Sequence, residues 1–299
     1  MNQINLKAMA KINLGLDVVS KRADGYHEVR MIMQTVNLYD QIYIRKIKKP
    51  GIMVKTNLYY LPNNEKNLVY KAAKLLMDEF QIEQGIFIGL KKYIPVSAGM
   101  AGGSADAATT LHGINQMFQL GLTKRELMKR AVTLGADIPY CLLRGTALAE
   151  GIGEKLTRLP PLPKCRILIA KPNISVSTKY VYDNLRVNAL KEHPNINGII
   201  DGLKNEDLSQ IAGSMGNVLE TVTIRKYPII ENMKEHMRRN GALNALMSGS
   251  GPTVFGIFDD EAKARMAYEK MQRSRLAKQL YLTYSYNEEV ERNERRFSN

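Results

Sequence analysis

The sequence predicts an α+β protein of two domains, and three observations support this prediction. The chain has 299 residues, and an average domain has roughly 150. Segments with the period of strands and segments with the period of helices both occur along it. A proline-rich stretch, residues 158–172, suits a domain boundary. We therefore expect an N-terminal domain over residues 1–157 and a C-terminal domain over residues 164–299.

The first domain is predicted to contain strands followed by a helix. The stretch INLKAMAKINLGLDVV, residues 4–19, alternates in polarity and predicts a strand. Further strands are predicted over residues 31–38, 40–47 and 85–95. Between the last two, KNLVYKAAKLLMDEF, residues 66–80, has apolar positions at helical spacing and predicts a helix.

Two more helices are predicted in this domain. One begins at Ser104, directly after a glycine-rich loop, and its apolar positions form the face expected to be buried: Ala107, Ala108, Leu111, Ile114, Met117 and Phe118. The other covers residues 123–135, where Thr123 and Glu126 form a capping-box pattern and Gly135 ends the helix.

The second domain repeats this mixture of elements. RILIA, residues 166–170, predicts a strand, and helical segments follow as far as residue 240. Residues 244–258 then indicate a strand, a glycine turn and a second strand. A helix over residues 260–272 and a tyrosine-rich strand over residues 281–286 complete the prediction.

The charge of the chain favours anionic partners without identifying one. The formal net charge is +14, which suits a polyphosphate, a nucleic acid or an anionic membrane, but equally a well-solvated surface. The densest basic cluster, IRKIKK over residues 44–49, alternates with apolar residues as in a sheet-edge strand. No aromatic RNA-binding signature accompanies the cluster, so we expect no nucleic-acid partner.

The cysteines and the apolar stretches indicate a cytoplasmic protein. The chain has two cysteines, Cys141 and Cys165, too far apart in sequence for a CxxC pair and too few for a disulfide framework. Lys11 interrupts the early apolar stretch, and no run resembles a secretory or membrane-spanning segment. We expect no membrane association, and we expect a monomer or a weak homodimer.

The stretch PVSAGMAGGSA, residues 95–105, predicts an anion-binding loop. Its glycines, Gly99, Gly102 and Gly103, allow close backbone approach, and free N–H groups at a helix start attract phosphate. Ser104 can cap the helix, and its hydroxyl could reach a phosphate-bound Mg²⁺. The pattern is neither a P-loop, which needs Lys before Ser or Thr, nor GxGxxG. A tight strand–helix connection packed with small residues remains the alternative.

Four segments together resemble the GHMP kinases, the family of galactokinase, homoserine kinase and mevalonate kinase. The glycine loop matches one family motif, and MSGSGPTVFG, residues 247–256, matches a late glycine turn. Residues 10–29 and 134–154 narrow the resemblance to a member whose alcohol substrate is a cytidylyl methylerythritol.

The resemblance implies a fold, a reaction and a nucleotide site. The implied fold is a ribosomal-protein-S5-like N-terminal half and a ferredoxin-like C-terminal half, with the last strand packing on the first half. The implied reaction transfers the γ-phosphoryl of ATP to the 2-hydroxyl of the cytidylyl methylerythritol, in the non-mevalonate isoprenoid route. The implied ATP-binding loop consists of Pro95, Val96, Ser97, Ala98, Gly99, Met100, Ala101, Gly102, Gly103, Ser104 and Ala105.

The loop departs from the family pattern at two positions. Met100 stands where Leu is commoner, and Ala105 stands where a second Ser is frequent. Losing a hydroxyl at residue 105 could weaken a phosphate or metal contact. The backbone N–H groups remain, so we expect nucleotide binding to survive.

The resemblance implies that Asp137 accepts the hydroxyl proton and that Lys11 is its cationic partner. A lysine near a carboxylate keeps the carboxylate ionised, and it can attract the transferring phosphoryl group. From the residues alone, Asp137 could instead cap the next helical turn, and Lys11 could lie at an exposed strand edge. Asp106, in the first turn after the loop, would repel phosphate, so it is interpreted as structural.

The resemblance also implies the substrate contacts. Tyr26 would stack on cytosine and His27 would hydrogen-bond the edge of the base. Tyr182 is the candidate for a second stacking ring, with Tyr180 as the alternative. Asn13 shares a strand face with Lys11 and could contact substrate hydroxyl or phosphate groups.

Asn67 and Lys92 are weaker candidates for the adenosine side of the nucleotide. Each is equally well interpreted as a helix-capping or surface residue.

No protein-bound metal is predicted. The other histidines, His112, His193 and His236, form no ligand cluster, and neither HExxH nor CxxC occurs. Any metal is expected to be Mg²⁺ that arrives with ATP. The competing functions are a GHMP kinase for another small alcohol and a non-catalytic nucleotide or nucleic-acid binder.

Overall fold

The computed structural model of the chain describes residues 1–287. Its strands are β1 (Gln3–Lys21), β2 (His27–Ile47), β3 (Ile52–Thr56), β4 (Gly85–Lys91), β5 (Thr146–Gly151), β6 (Lys155–Arg158), β7 (Arg166–Lys171), β8 (Gly216–Asn217), β9 (Asn244–Met247), β10 (Val254–Phe258) and β11 (Gln279–Tyr284). Within these residues no helix has the length and apolar character needed to cross a membrane.

The described helices cover both halves of the sequence. They are α1 (Leu68–Glu79), α2 (Gly102–Phe118), α3 (Lys124–Ala131), α4 (Ile138–Leu143), α5 (Thr178–Asp183), α6 (Ile196–Lys204), α7 (Leu208–Ser214), α8 (Glu220–Lys226), α9 (Ile229–Arg239) and α10 (Glu261–Ser274). A short 3₁₀ helix, Val187–Ala189, lies between α5 and α6.

The chain divides into two compact units that do not follow its order. Unit 1 consists of residues 1–10, 38–96 and 101–143. Unit 2 consists, within the described residues, of 11–37, 97–100 and 144–287. The long strands β1 and β2 therefore each supply residues to both units.

Unit 1 contains a mixed sheet in the order β3-β4-β2-β1. β3 runs parallel to β4, and β2 runs antiparallel to β4 with Arg45 opposite Phe87. One side of β4 carries the buried residues Ile86, Ile88 and Leu90, which contribute to the core. The edge-strand interpretation of residues 44–49 is wrong, because β2 has neighbours on both sides in this sheet.

The two strands predicted over residues 31–38 and 40–47 are one strand, β2, because Asp40 does not break it. Asp40 is completely buried within the strand. Its Oδ1 accepts hydrogen bonds from the backbone N–H groups of Tyr93, at 2.5 Å, and Ile94, at 2.8 Å. These bonds also explain why β4 ends at Lys91 instead of continuing to Pro95.

The helix after the glycine loop begins two residues earlier than predicted. α2 starts at Gly102, and the residue before it, Ala101, has a left-handed conformation with φ of 53°. No side chain caps this end, so the predicted capping by Ser104 is wrong, and Ser104 lies inside the first turn. On the predicted buried face, Phe118 is only half-buried.

The capping box of α3 is confirmed, but the helix is shorter than predicted. Thr123 Oγ1 accepts from Glu126 N at 3.3 Å, and Glu126 Oε2 accepts from Thr123 N at 2.8 Å. The helix ends at Ala131, residues 132–134 form turns, and the hydroxyl of Thr133 donates to Arg130 O at 2.8 Å.

Unit 2 contains an antiparallel sheet in the order β11-β7-β10-β9. The strand–turn–strand prediction for residues 244–258 is confirmed by β9 and β10, which pair with Val254 opposite Met247. The last strand, β11, pairs with β7. Just after it, Ser285 forms an isolated bridge with Val36, and Tyr286 N donates to Thr35 O at 2.9 Å.

Candidate functional site

Residues 97–100 of the glycine loop lie in unit 2 against the late glycine turn. Gly99 has φ of +73°, and a Cβ at this position would lie 2.0 Å from the carbonyl oxygen of Ser248. Ser248 Oγ donates to Gly99 O at 2.9 Å. Gly99 is therefore required both by its left-handed backbone and by close contact with another backbone segment.

Lys11 is buried beside this contact. Lys11 belongs to β1 and is only 5% exposed. Its Nζ donates to Asn13 Oδ1 at 2.7 Å and to Gly99 O at 3.1 Å. The alternative of an exposed strand edge is therefore wrong. Asn13 lies on the same face, as predicted, and its Nδ2 lies 3.3 Å from Met31 Sδ.

The neutral partners of Lys11 have an electrostatic consequence. An ammonium group has three N–H donors, and two of them bind amide or peptide oxygens. No carboxylate of the described part of unit 2 pairs with it. Lys11 thus presents a positive charge that an anionic ligand can neutralise.

His27 packs against Tyr182 in unit 2. The centroids of the two rings lie 5.1 Å apart, with an angle of 41° between the planes. Burial, with a smaller contribution from Lys21, lowers the pKa of His27, which favours a neutral imidazole. The neutral ring carries one donor and one acceptor, as recognition of a base edge requires.

The two remaining aromatic candidates lie in different surroundings. Tyr26 is 61% exposed, and its backbone is held in a turn where Arg22 N donates to Tyr26 O at 2.8 Å. Tyr180 is 38% exposed, and Lys226 Nζ lies 3.6 Å from the centroid of its ring. Tyr182, rather than Tyr180, is therefore the ring beside His27.

In unit 1, the start of α2 adjoins a buried ionic cluster. Lys92 Nζ contacts Asp106 Oδ2 at 2.6 Å and also contacts Asp40 Oδ2. The Lys92 side chain is 4% exposed. A Cβ added at Gly102 would lie 3.2 Å from Lys92 Nζ, whereas one at Gly103 would make only an ordinary contact with Leu68 at 3.5 Å.

The pKa values in this cluster reflect its burial. Burial raises the pKa of Asp106 well above 3.8; the Lys92 ammonium opposes this rise, and Asp40 adds to it. Burial opposes the ammonium form of Lys92, but the two carboxylates raise the pKa of Lys92. Asp106 Oδ1 is buried without a hydrogen-bond partner among the described residues. The buried ion pair with Lys92 supports the interpretation of Asp106 as structural, and the predicted adenosine contact of Lys92 stays a prediction.

Asn67 caps α1 with both of its polar side-chain atoms. Oδ1 accepts from Val69 N at 3.0 Å, and Nδ2 donates to Pro62 O at 2.7 Å. The structure thus supports the helix-capping interpretation of this residue, and its predicted contact with adenosine stays a prediction.

Asp137 lies in unit 1 immediately before α4. It is half-buried, and its backbone carbonyl accepts from Cys141 N at 3.1 Å. No hydrogen bond or ion pair to its carboxylate is found within the described part of unit 1. The side chain is therefore not used as a helix cap there, and its role as a base stays a prediction.

The sequence analysis missed two contacts, one made by Ser248 and one made by Asp40. Ser248 lies within a recognised motif, MSGSGPTVFG, so its position could have suggested contact with the glycine loop. Asp40 had no comparable signal, because its partners Tyr93 and Ile94 are more than fifty residues away. No group of three or more His, Cys, Asp or Glu side chains suited to a metal ion occurs within residues 1–287.

The chain is similar to known proteins over most of its length. The model for the GHMP kinases N terminal domain matches residues 67–145, and the model for the GHMP kinases C terminal region matches residues 199–278. A 4-diphosphocytidyl-2-C-methyl-D-erythritol kinase of Lachnoclostridium phytofermentans is 56% identical over 283 residues, which is 95% of this chain and 97% of that protein.

Solved structures agree with these matches. A crystal structure of 4-(cytidine 5′-diphospho)-2C-methyl-D-erythritol kinase has a TM-score of 0.82 at 30% identity, covering 95% of this chain and 100% of that one. A homoserine kinase of Cytophaga hutchinsonii has a TM-score of 0.74 at 23% identity, covering 96% and 95%, and so shares the fold.

Proposed function

The chain belongs to the GHMP kinase family, and we propose that it transfers the γ-phosphoryl group of ATP to the 2-hydroxyl of 4-diphosphocytidyl-2-C-methyl-D-erythritol. The product is the 2-phosphate, an intermediate of the non-mevalonate isoprenoid route. The observation that carries this proposal is 56% identity, over 95% of the chain, to a protein named for that activity. The neutral His27 packed on Tyr182 supports recognition of the cytosine base.

The glycine loop binds the triphosphate of ATP through backbone N–H groups. At the start of α2 no side chain occupies the first N–H groups, and these groups carry partial positive charge. Mg²⁺, when bound, neutralises charge on the phosphates. The hydroxyl of Ser104, half-buried in the first turn of α2, fits as a ligand for an ion that arrives with ATP, because such an ion takes most of its oxygen ligands from phosphate and water.

Lys11 and Asp137 have separate chemical tasks in this proposal. Lys11 holds a fixed positive charge against Gly99 O, where it attracts the transferring phosphoryl group. Asp137 accepts the proton from the substrate hydroxyl, for which a carboxylate without a structural partner in unit 1 is suited. Tyr26 and Tyr182 stack on the cytosine, and Asn13 orients substrate oxygens.

An ADP-release assay tests the proposal directly. Cytidylyl methylerythritol, homoserine and mevalonate are offered in turn with ATP and Mg²⁺. We expect ADP release with the cytidylyl substrate alone, and release with one of the other alcohols instead would contradict the proposed substrate.

Asp137→Asn tests the assigned base in the same assay. Loss of a general base reduces turnover by about 10²- to 10⁴-fold. We expect ATP to bind this variant as it binds the wild type, since the amide keeps the shape of the side chain. Full turnover of the variant would remove Asp137 from the mechanism.

We also propose a domain division, a cellular location and an oligomeric state for the protein. The family matches over residues 67–145 and 199–278 fall one in each predicted domain, 1–157 and 164–299, but residues 11–37 and 97–100 belong to the compact unit of the C-terminal half, so the division we propose is not continuous along the chain. Cys141 and Cys165 are both buried and neither forms a disulfide within residues 1–287, which supports a cytoplasmic protein. We propose a monomer or a weak homodimer.

A further inference from the structure

A groove of about 620 Å³ lies on the strands of unit 1, and it contains none of the residues proposed for catalysis or ATP binding. We name it the sheet groove; the residues that matter to its chemistry are Lys7, Tyr43, Lys55, Phe87, Gly89 and Lys91. They come from the four strands β1, β2, β3 and β4.

Two half-buried aromatic rings form the floor of the sheet groove. Tyr43 lies directly opposite Gly89 in the pairing of β2 with β4, and Phe87 lies two residues before Gly89 on β4. The ring centroids of Tyr43 and Phe87 are 6.4 Å apart. Because residue 89 is a glycine, the space beside these rings is open: a Cβ there would lie 3.4 Å from Phe87 and 3.7 Å from Tyr43.

Three lysines line the sheet groove together with the rings. Lys55 lies opposite Gly89 on the other side of β4, so Lys55, Gly89 and Tyr43 form one row across three strands. Lys7, Lys55 and Lys91 are exposed, and Arg45, on the same strand as Tyr43, lies 5.1 Å from the Phe87 centroid. No Asp or Glu is among the residues that line the sheet groove.

This combination points to one class of occupant. We propose that the sheet groove binds single-stranded nucleic acid, with bases stacking on Tyr43 and Phe87 and phosphates contacting the surrounding lysines. A second copy of the chain that docked here through the same face would be repelled, because its lysines would face the lysines of the groove. A flat lipid surface would not reach the floor of a recess, and an acidic peptide would meet the cations but leave the rings without a stacking partner.

The proposal revises an expectation drawn from the sequence. The basic residues are scattered in the sequence, where Lys7, Arg45, Lys55 and Lys91 are far apart. The sheet of unit 1 brings their strands side by side. Arg45 belongs to the basic cluster at residues 44–49, and its guanidinium group lies beside the Phe87 ring on the floor of the groove.

Fluorescence anisotropy with a labelled single-stranded RNA of about 12 nucleotides, within the usual site sizes, measures the binding. Saturating ADP and CDP are present to occupy the proposed catalytic nucleotide and base sites. We expect binding that persists under these conditions and that weakens about fiftyfold between roughly 50 and 200 mM salt, as expected for four phosphate contacts. Loss of binding on addition of ADP and CDP would assign the RNA to the catalytic site and overturn the proposal.

Gly89→Val tests the stacking floor without removing a charge. Valine suits a strand, and its side chain fills the space beside the two rings. We expect the affinity for RNA to fall at least about fivefold, the lower end for loss of one stacked base. Tyr43→Leu and Phe87→Leu, which keep apolar bulk, should have the same effect. Unchanged affinity in all three variants would overturn the proposal.

A matched pair of charge variants separates the groove from the general charge of the chain. Lys55→Glu with Lys91→Glu changes two groove residues, whereas Lys71→Glu with Lys129→Glu makes the same charge change on exposed positions of α1 and α3. We expect the first pair to weaken RNA binding at least tenfold more than the second, with ADP release unchanged in both. Equal weakening, or equal binding of duplex DNA, would show non-specific attraction and overturn the proposal.

Discussion

Gly99 and Gly103 belong to one loop, yet the structure requires a glycine only at the first. Gly99 combines φ of +73° with a backbone oxygen where its Cβ would lie. Gly103 is in the first turn of α2 and has room for a methyl group. Gly99 is therefore needed for the structure of the loop, whereas a glycine at position 103 is not needed for folding and serves the proposed close approach of the phosphates.

Substituting alanine at each position tests that separation. Gly99→Ala should destabilise the protein by more than about 1 kcal/mol, because Ala meets strain at positive φ and a clash. Gly103→Ala should be neutral or stabilising by up to about 1 kcal/mol, since alanine favours helix. Urea unfolding measures both changes. If Gly103→Ala is the more destabilising variant, the steric account of the loop is wrong.

The position of Tyr182 leads to a prediction about substrate affinity. Since Tyr182 packs on His27 and Tyr180 does not, Tyr182→Ala should raise KM for the cytidylyl substrate by at least about fivefold. Tyr180→Ala is the matched control and should change that KM less than twofold. Steady-state kinetics with both substrates measures this, and KM for ATP should stay constant in both variants. A larger effect of Tyr180→Ala would exchange the two assignments.

At the scale of elements, three buried side chains join β2, the end of β4 and the start of α2. Asp40 comes from β2, Lys92 follows β4, and Asp106 lies in α2. Two carboxylates share one ammonium, so the cluster holds more acidic than basic groups away from water. Removing the ammonium and removing one carboxylate should therefore have unequal effects.

Lys92→Met should destabilise the protein by about 3–5 kcal/mol, because it leaves two carboxylates buried without a cation. Asp106→Asn should cost much less, since Lys92 then pairs with Asp40 alone. Urea unfolding at neutral pH compares the two. Equal losses would mean that packing, rather than charge, determines the stability of this cluster.

The raised pKa of Asp106 also predicts a pH dependence. Because the folded-state pKa lies above the unfolded value, the folded protein binds the proton more tightly, and the contribution to stability is largest at low pH. It is lost as pH rises from about 4, the unfolded pKa, through the folded pKa. The stability of the wild type minus that of Asp106→Asn should therefore decrease over this interval. A flat difference would show that Asp106 does not titrate in this way.

The sequence predicted the existence of helices and strands better than it predicted the residues at which they begin and end. The capping box of α3 depends on residues three apart, so it could be read locally. The break predicted near Asp40 was wrong because Asp40 binds the backbone of a residue more than fifty positions away. The late start predicted for α2 was wrong because the helix begins at Gly102 without a side-chain cap, after Ala101 in a left-handed conformation. Likewise, Lys11 could be proposed from a motif, but its bonds to Asn13 and Gly99 O required the fold.

At the scale of the whole molecule, unit 2 draws residues from both sides of the proline-rich stretch. Gly15 pairs with Gly216, and Arg30 Nη2 donates to Asn197 Oδ1 at 2.9 Å. The proline pattern indicated where the sequence changes character. It could not indicate that residues 11–37 belong to the same compact unit as the C-terminal half, because that depends on long-range strand pairing.

This arrangement predicts that a fragment containing residues 1–157 does not fold cooperatively. Its β1 lacks β8, and residues 35 and 36 lack their partners at 285 and 286. Urea denaturation followed by circular dichroism should give a broad transition for the fragment and a steep one for the full chain. A steep transition in the fragment would show that residues 11–37 are stable without the C-terminal half.

The carbonyl oxygen of Gly99 accepts hydrogen bonds from Lys11 Nζ and from Ser248 Oγ, and these two bonds orient the whole peptide group between Gly99 and Met100. A peptide group is planar and trans, so anchoring its oxygen from two sides also sets the direction of the amide of Met100. Rotation of this plane would break both anchors together. Replacing Lys11 therefore disturbs the geometry of the nucleotide loop as well as removing a charge, and a loss of turnover in such a variant combines the two effects.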